Sequence, residues 1–165
     1  MNIGIIYGSS TGTCEGFANQ IAAQLDNAEV VEVTSITAEQ IDGFDALILG
    51  SSTWGLGELQ DDWYDGVNVL KEANLSGKKV ALFGCGDAGS YSDTFCDAIG
   101  LLHEELEGTG CTFIGSTPTD GYNFDASKSE VDGEFIGLPL DDMNDSSDVN
   151  EERIANWVAN LKNQL

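Results

Sequence analysis

Three stretches of the chain place small, hydroxyl-bearing residues and glycines directly after short apolar runs. The first is Ser9-Ser10-Thr11-Gly12-Thr13-Cys14, ahead of a helical pattern. Glycine lets such a turn curl so that successive backbone N–H groups point into one concavity, and the following helix start adds partial positive charge. With the hydroxyls of Ser9, Thr11 and Thr13, that set suits a terminal phosphate without any lysine. It also reads as an ordinary serine-rich turn capping a helix. No GxxxxGK[ST] pattern is present. The second stretch is Ser51-Ser52-Thr53-Trp54-Gly55-Leu56-Gly57-Glu58. Trp54 offers a flat face for stacking or serves as a core or lid residue. Gly55 permits positive φ and hence a peptide flip. The third stretch is Cys85-Gly86-Asp87-Ala88-Gly89-Ser90-Tyr91. Tyr91 is a second flat face, the exposed N–H groups of the turn suit ligand carbonyls, and Asp87 also reads as a turn former or helix cap.

Two aromatic faces and a cation-free phosphate nest fit a flat heterocycle joined to one phosphate. FMN meets that description better than NAD, whose GxGxxG fingerprint is missing. No nucleophile–base pair accompanies these stretches. The single histidine, His103, falls on or beside an apolar helical stripe and reads as structural.

Alternating strands and helices position the loops. Short apolar runs at Ile3 to Tyr7, Val30 to Val33, Ala46 to Leu49, Lys79 to Phe83 and Cys111 to Gly115 predict five strands. Phe17, Ala18, Ile21 and Leu25 repeat at helical spacing, as do Phe95, Ile99, Leu102, His103 and Leu106. A last helix is expected with Asn150 as its cap, Glu151 and Glu152 at its positive end, and Ile154, Trp157, Val158 and Leu161 buried. Such alternation indicates βαβ units and a parallel sheet covered on both faces. In such a sheet the three loops converge at the carboxyl edge, where ligands bind. Ser116 to Val149 departs from the alternation. Its aromatics Tyr122, Phe124 and Phe135 predict an ordered excursion, turned back near Gly133-Glu134, with Phe135 to Leu140 rejoining the sheet.

The composition excludes several classes. Six Lys/Arg stand against 29 Asp/Glu, for a formal charge of −23, which argues against nucleic acid and anionic lipid as partners and points to basic ones. Cys14, Cys85, Cys96 and Cys111 form no CxxC and no zinc spacing. No signal-like start or bilayer-length apolar run is seen, so a cytoplasmic protein is expected.

The chain resembles the flavodoxins of the long-chain branch over essentially its whole length. Tyr7-Gly8-Ser9-Ser10-Thr11-Gly12 resembles the family's phosphate loop. Thr53-Trp54, Gly57-Glu58-Leu59-Gln60 and Asp62-Trp63 resemble its second loop, and Gly84-Cys85-Gly86-Asp87 with Tyr91, Phe95 and Asp97-Ala98-Ile99-Gly100 its third. Thr119-Asp120-Gly121-Tyr122 and Phe135-Ile136-Gly137-Leu138 are similar to the insertion that marks the long-chain branch. The resemblance implies one domain over residues 1–165. Its fold would be a flavodoxin-like three-layer sandwich with a five-stranded parallel sheet in the order 2-1-3-4-5, helices on both faces and a long-chain insertion at the fifth strand.

It further implies tight, non-covalent FMN and a low-potential one-electron carrier, cycling mainly between semiquinone and hydroquinone, rather than an enzyme. Ser9, Ser10, Thr11, Gly12, Thr13 and Cys14 would surround the phosphate. Ser52, Thr53, Trp54, Gly55, Leu56 and Gly57 would form the second contact, with Cys85, Gly86, Asp87 and Tyr91 the third. Trp54 and Tyr91 would sandwich the ring, and Asp87 would meet its pyrimidine edge chiefly through backbone. Asp141 and Asp142 are both candidates for the ribityl region. Two residues depart from the family pattern. Cys14 stands where a hydroxyl is usual and either donates weakly or packs inward, and Gly55 stands where asparagine is common. The expected partners are a flavin- or iron–sulfur-containing reductase and acceptors with basic docking surfaces, with the carrier a monomer. The competing readings are an NAD(P)H-dependent quinone or azo reductase of the same fold, a phosphorylation-controlled response domain and a flavin-free binding protein. The second would need acidic residues where the first loop has Gly8-Ser9-Ser10.

Overall fold

The computed structural model describes residues 1–54 and 57–165, apart from the side chain of Trp54. Strand β1 (Ile3–Gly8) runs parallel to β2 (Ala28–Glu32) on one side and to β3 (Ala46–Trp54) on the other. Strand β3 is paired in turn with β5 (Lys79–Cys85) and, in a short antiparallel hairpin, with β4 (Glu58–Leu59). Helices α1 (Thr13–Ala23), α2 (Ala38–Asp42), α3 (Trp63–Glu72), α4 (Asp97–Leu106) and α5 (Ser147–Gln164) connect and cover the strands.

Strand periodicity sorts the core into two layers. Ile3, Ile5 and Tyr7 of β1, Ala46 and Ile48 of β3, and Ala81 and Phe83 of β5 face α1 and α5, packing on Phe17, Ile21, Ile154, Trp157 and Leu161. Their neighbours Ile6, Leu47, Leu49, Val80 and Leu82 face the other way, onto Trp63, Leu70, Ile99 and Leu102. Because both faces are covered, the strands read as continuous apolar runs. A Cβ on Gly50 would lie 2.0 Å from the Phe83 ring, so a side chain there would displace the ring. Among the described residues, no helix is long and apolar enough to cross a membrane.

The expected fold is corrected at its fifth strand. Two short strands share the outer edge of β5: β6 (Thr112–Ile114) pairs with Lys79 to Ala81, and β10 (Leu138–Leu140) with Phe83 to Cys85. Counting these and β4, the described sheet has seven strands rather than five. The long insertion expected at this position is not seen. The chain between the two edge strands is a compact antiparallel sheet in the order β7 (Thr117–Pro118), β9 (Glu134–Phe135), β8 (Glu130–Val131). Its Phe135 is fully buried, with ring centroids 4.9 Å from Tyr122, 5.0 Å from Phe124 and 6.2 Å from Phe95. Phe135, with Tyr122, Phe124 and Ile136 packed around it, thus joins this segment to the main core.

Three local expectations also change. Helix α5 begins at Ser147, capped by the Ser146 hydroxyl accepting the Val149 N–H. Asn150, expected as that cap, is buried within the helix. Its Nδ2 donates to the Asp141 carbonyl at 2.9 Å and its Oδ1 accepts the Asp141 N–H at 3.3 Å, clamping β10's end to α5. Ser51 to Thr53, expected in a loop, are strand residues, because Ser51 and Ser52 continue the pairing with β5 and β4 folds back onto Thr53 and Trp54. Replacing Phe135 by alanine should cost about 3–5 kcal/mol, the range for a large aromatic lost from a packed core. Urea unfolding reads this directly, and a loss below about 1 kcal/mol would show the segment to be peripheral.

Candidate functional site

Strand register brings the three loops together. Gly8 of β1 lies opposite Ser51 of β3, and Ser51 and Ser52 lie opposite Gly84 and Cys85 of β5. The chain leaves all three strands at one edge, around an open cavity of about 270 Å³. The first loop lines it with Thr11 and Thr13, the second with Ser52 and Thr53, and the third with Cys85, Gly86, Asp87 and Tyr91. Asp142 and Met143 complete the described wall.

The first loop is held from below. Ser9 Oγ accepts the Gly12 N–H at 2.9 Å, and Ser10 Oγ lies 3.2 Å from Gln60 Nε2. Gln60 is buried. Its amide also bonds both the N–H and the carboxylate of Asp62, while its own N–H donates to Ser51 Oγ. It therefore ties the first loop to the second. Ser9, Ser10 and Gly12 are not among the cavity-lining residues. Gly12 has φ 87°, a left-handed conformation that glycine adopts without strain, and a Cβ there would meet nothing within 4 Å. Helix α1 starts here with no side-chain cap, so its first N–H groups face open space beside the Thr11 and Thr13 hydroxyls. Uncapped amides, two neutral hydroxyls and, among the described residues, no lining lysine or arginine form a donor set that fits a phosphate monoester.

Cys14 turns inward. It is fully buried and its Sγ lies 3.0 Å from Cys85 Sγ, beneath the cavity rather than on its wall. Gly57 (φ 93°) packs against Asp97, whose Oδ2 a Cβ would approach to 2.6 Å. Burial raises the Asp97 carboxyl, opposed by a bond from the Lys128 N–H and by the Lys128 charge. Trp54 is the last residue of β3. The expected stacking of its ring, and the expected flip at Gly55 and Leu56, fall outside the described residues. Tyr91 is half exposed at the rim, where its ring is free to cover a flat ligand. His103 packs on Phe113 with ring centroids 4.1 Å apart, a structural placement as expected.

A fourth strand end also contributes. Asp142, one of the two ribityl candidates, and Met143, missed from sequence, follow β10, so extending the carboxyl-edge rule to that strand would have found Met143. Asp141, the other ribityl candidate, is buried behind the wall. Its Oδ1 accepts the Met143 and Asn144 N–H groups, and its Oδ2 accepts the Ala88 N–H and Asn144 Nδ2. Asn144 Nδ2 also donates to Asp87 Oδ1 at 2.7 Å, which accepts the Gly89 and Ser90 N–H groups as well. One amide thus bridges two carboxylates and fixes the third loop against the chain after β10. Nothing in the local sequence marks Asn144 as a bridge, because Asp87 lies 57 positions away.

The Asn144 bond, more than the backbone bonds from Ser90 and Gly89, holds the Asp87 carboxyl below the usual carboxylate range, against an opposing desolvation effect. A carboxylate depressed in the folded state stabilises it at neutral pH, and that contribution disappears as pH falls through the folded value. In Asn144→Ala the Asp87 titration should move to higher pH, so the contribution is lost earlier on acidification. Carbon-13 titration of the Asp87 carboxyl checks this, and an unmoved midpoint would remove Asn144 as the cause.

Comparison with known proteins agrees with this geometry. The chain is 41% identical over 165 residues to flavodoxin 1 of Salmonella typhimurium, covering 98% of this chain and 93% of that one. Its structure superposes on Fusobacterium nucleatum flavodoxin bound to flavin mononucleotide with a TM-score of 0.91 at 30% identity, covering 99% and 98% of the two chains. The expected assignment to the long-chain branch is corrected. A short-chain flavodoxin associated with a bacterial microcompartment aligns with a TM-score of 0.71 at 19% identity, covering 99% of each chain and leaving no long segment over. Length and architecture are those of the short-chain kind. The flavodoxin family model matches residues 5–157, and the chain belongs to the flavodoxin family.

Proposed function

We propose that the cavity at the carboxyl edge is the FMN site of an electron-transfer protein, with the roles of its residues as follows. The protein is a flavodoxin-fold FMN-binding carrier rather than an enzyme. The observation that carries the site assignment is a wall of neutral hydroxyls and uncapped amides at the start of α1, next to an exposed tyrosine. Thr11, Thr13 and the first amides of α1 hold the phosphate, with Gly12 leaving room for it. Ser9 and Ser10 shape the loop from behind, and Cys14 supports it from below. Tyr91 covers one ring face. Ser52, Thr53, Gly57, Cys85, Gly86 and Asp87 place backbone along the ring edge. Asp142 is near the ribityl chain.

Bound here, FMN supplies one-electron chemistry. The chain's own contribution is electrostatic and steric. Asp87 and Asp142 line the cavity, and the whole molecule carries a formal charge of −23. That field opposes further negative charge at the ring and lowers its reduction potential, most strongly at low ionic strength. Tyr91 excludes water from the ring face while leaving the edge near Met143 accessible to a partner. A carrier of this family works between redox partners such as reductases. The finer reading is a flavin- or iron–sulfur-containing reductase as donor and acceptors with basic docking surfaces, served by one domain spanning residues 1–165.

Anaerobic photoreduction of the FMN-loaded protein, followed by its visible spectrum, should proceed in two resolved one-electron stages. A single two-electron bleaching would overturn the carrier reading in favour of a reductase. Transfer to a basic acceptor should slow at high salt, because steering by opposite charge is screened beyond a Debye length of about 10 Å at 0.1 M. A rate that climbs steadily with salt would remove electrostatic recruitment.

A further inference from the structure

Cys14 and Cys85 lie 71 positions apart in the chain, yet their Sγ atoms are 3.0 Å apart. Cys14 sits in the first turn of α1 and Cys85 ends β5, so the pair joins the base of the first loop to the base of the third. All four cysteines are free thiols. The other two are placed differently. Cys96 faces the Gly84 and Leu140 carbonyls at 3.8 Å each, and Cys111 faces the Leu106 carbonyl at 3.9 Å. A disulfide has an S–S distance of about 2.05 Å, so the Cys14–Cys85 pair needs an approach of only about 1 Å. Access differs between its members, since Cys14 is fully buried whereas Cys85 lines the cavity and is 5% exposed.

We propose that Cys14 and Cys85 form a thiol–disulfide modification site under the cavity floor, closed by hydroperoxides when the cavity is empty and shielded when FMN fills it. The shielding rests on the reading of the cavity as the FMN site. In the first step Cys85 sulfur attacks one oxygen of hydrogen peroxide. The O–O bond breaks, Cys85 becomes a sulfenic acid, and the released oxygen leaves as water with the thiol proton. In the second step Cys14 sulfur attacks the sulfenic sulfur, the S–O bond breaks, and a second water leaves with the Cys14 proton. Two electrons pass from the sulfurs to the peroxide, and the net products are one disulfide and two waters.

Burial pushes the Cys85 thiol well above its ordinary range, and the bond to Cys14 adds to this. Little thiolate is therefore present, and the first step is slow unless water and peroxide reach the sulfur through the cavity. Closure draws the first turn of α1 and the end of β5 together beneath the ligand. Thr13 adjoins one partner and Gly86 the other, and binding groups tolerate displacements of only about 0.5 Å. The oxidised flavin-free protein should therefore bind FMN more weakly, by an order of tenfold or more.

The test treats flavin-free and FMN-loaded protein with hydrogen peroxide in parallel, then maps peptides by mass and titrates FMN by fluorescence quenching. The flavin-free protein should yield a Cys14–Cys85 linked peptide, lighter by two hydrogens, on the order of tenfold faster than the loaded form. Its FMN affinity should fall, and dithiothreitol should restore it. Cys111→Ser should behave like the parent, whereas Cys14→Ser should give no linked peptide. Should Cys14→Ser fail to fold, the peptide map of the parent decides alone. Sulfinic acid at Cys85 without a link, a Cys111-linked dimer as sole product, equal rates with and without FMN, or unchanged affinity after closure would each overturn the proposal. Failure of the reduced protein to bind FMN would instead overturn the cavity assignment, while the linked peptide would still report on the thiols.

Discussion

The registers of β1, β3 and β5 govern everything else in the site. Parallel strands hydrogen-bonded with Gly8 opposite Ser51 and Ser52 opposite Cys85 must release their chains at nearly the same height. A slip of one residue would send every side chain to the opposite face. It would exchange the layer around Phe17 and Trp157 for the layer around Trp63 and Leu102, a loss no loop contact could offset. The core thus dictates where the loops begin. Loop chemistry then adds a donor set without cations, as a chain with few basic residues requires. Because backbone amides and hydroxyls supply the attraction for phosphate, the surface is free to carry its excess of acids.

Behind the wall, the supports of the site are amides bridging remote segments. Gln60 joins the first two loops, Asn144 joins the third to the chain after β10, and Asn150 anchors that chain to α5. The Gln60 and Asn150 side chains both donate and accept, and Asn144 donates to two carboxylates, so the three satisfy backbone groups and carboxylates without bringing a charge of their own. The network is well suited to a site where any added charge would act on the ring.

Much of this was legible in the residues themselves. Apolar runs ending in glycine and hydroxyl residues at Tyr7, Leu49 and Phe83 marked three strand ends, and topology alone implied their convergence. The rest depended on contacts between distant positions. Asn150 looked like a helix cap because cap preference is local, whereas its partner is the backbone of Asp141. The thiol of Cys14 was ambiguous until its neighbour Cys85 was placed. The excursion after β6 looked like an added insertion because Thr119 to Tyr122 and Phe135 to Leu138 resemble the one that marks the long-chain branch. Burial of Phe135 is set by Phe95, on the far side of β6 in the chain. Met143 went unmarked because the strand preceding it is only three residues long.

The divided edge of the sheet has a consequence for encounters between copies of the chain. An outer strand normally presents a row of unpaired donors and acceptors on which another strand can grow. At the centre of β10, Pro139 has no N–H to offer, and its carbonyl already accepts the Tyr122 hydroxyl at 2.8 Å. The opposite border, β2, carries Glu29 and Glu32, whose like charges repel a second acidic chain. The β10 half of one margin and the β2 margin are therefore poor templates for strand addition, one by chemistry and one by charge, so these two edges guard a concentrated solution of the protein against growth of sheets from copy to copy.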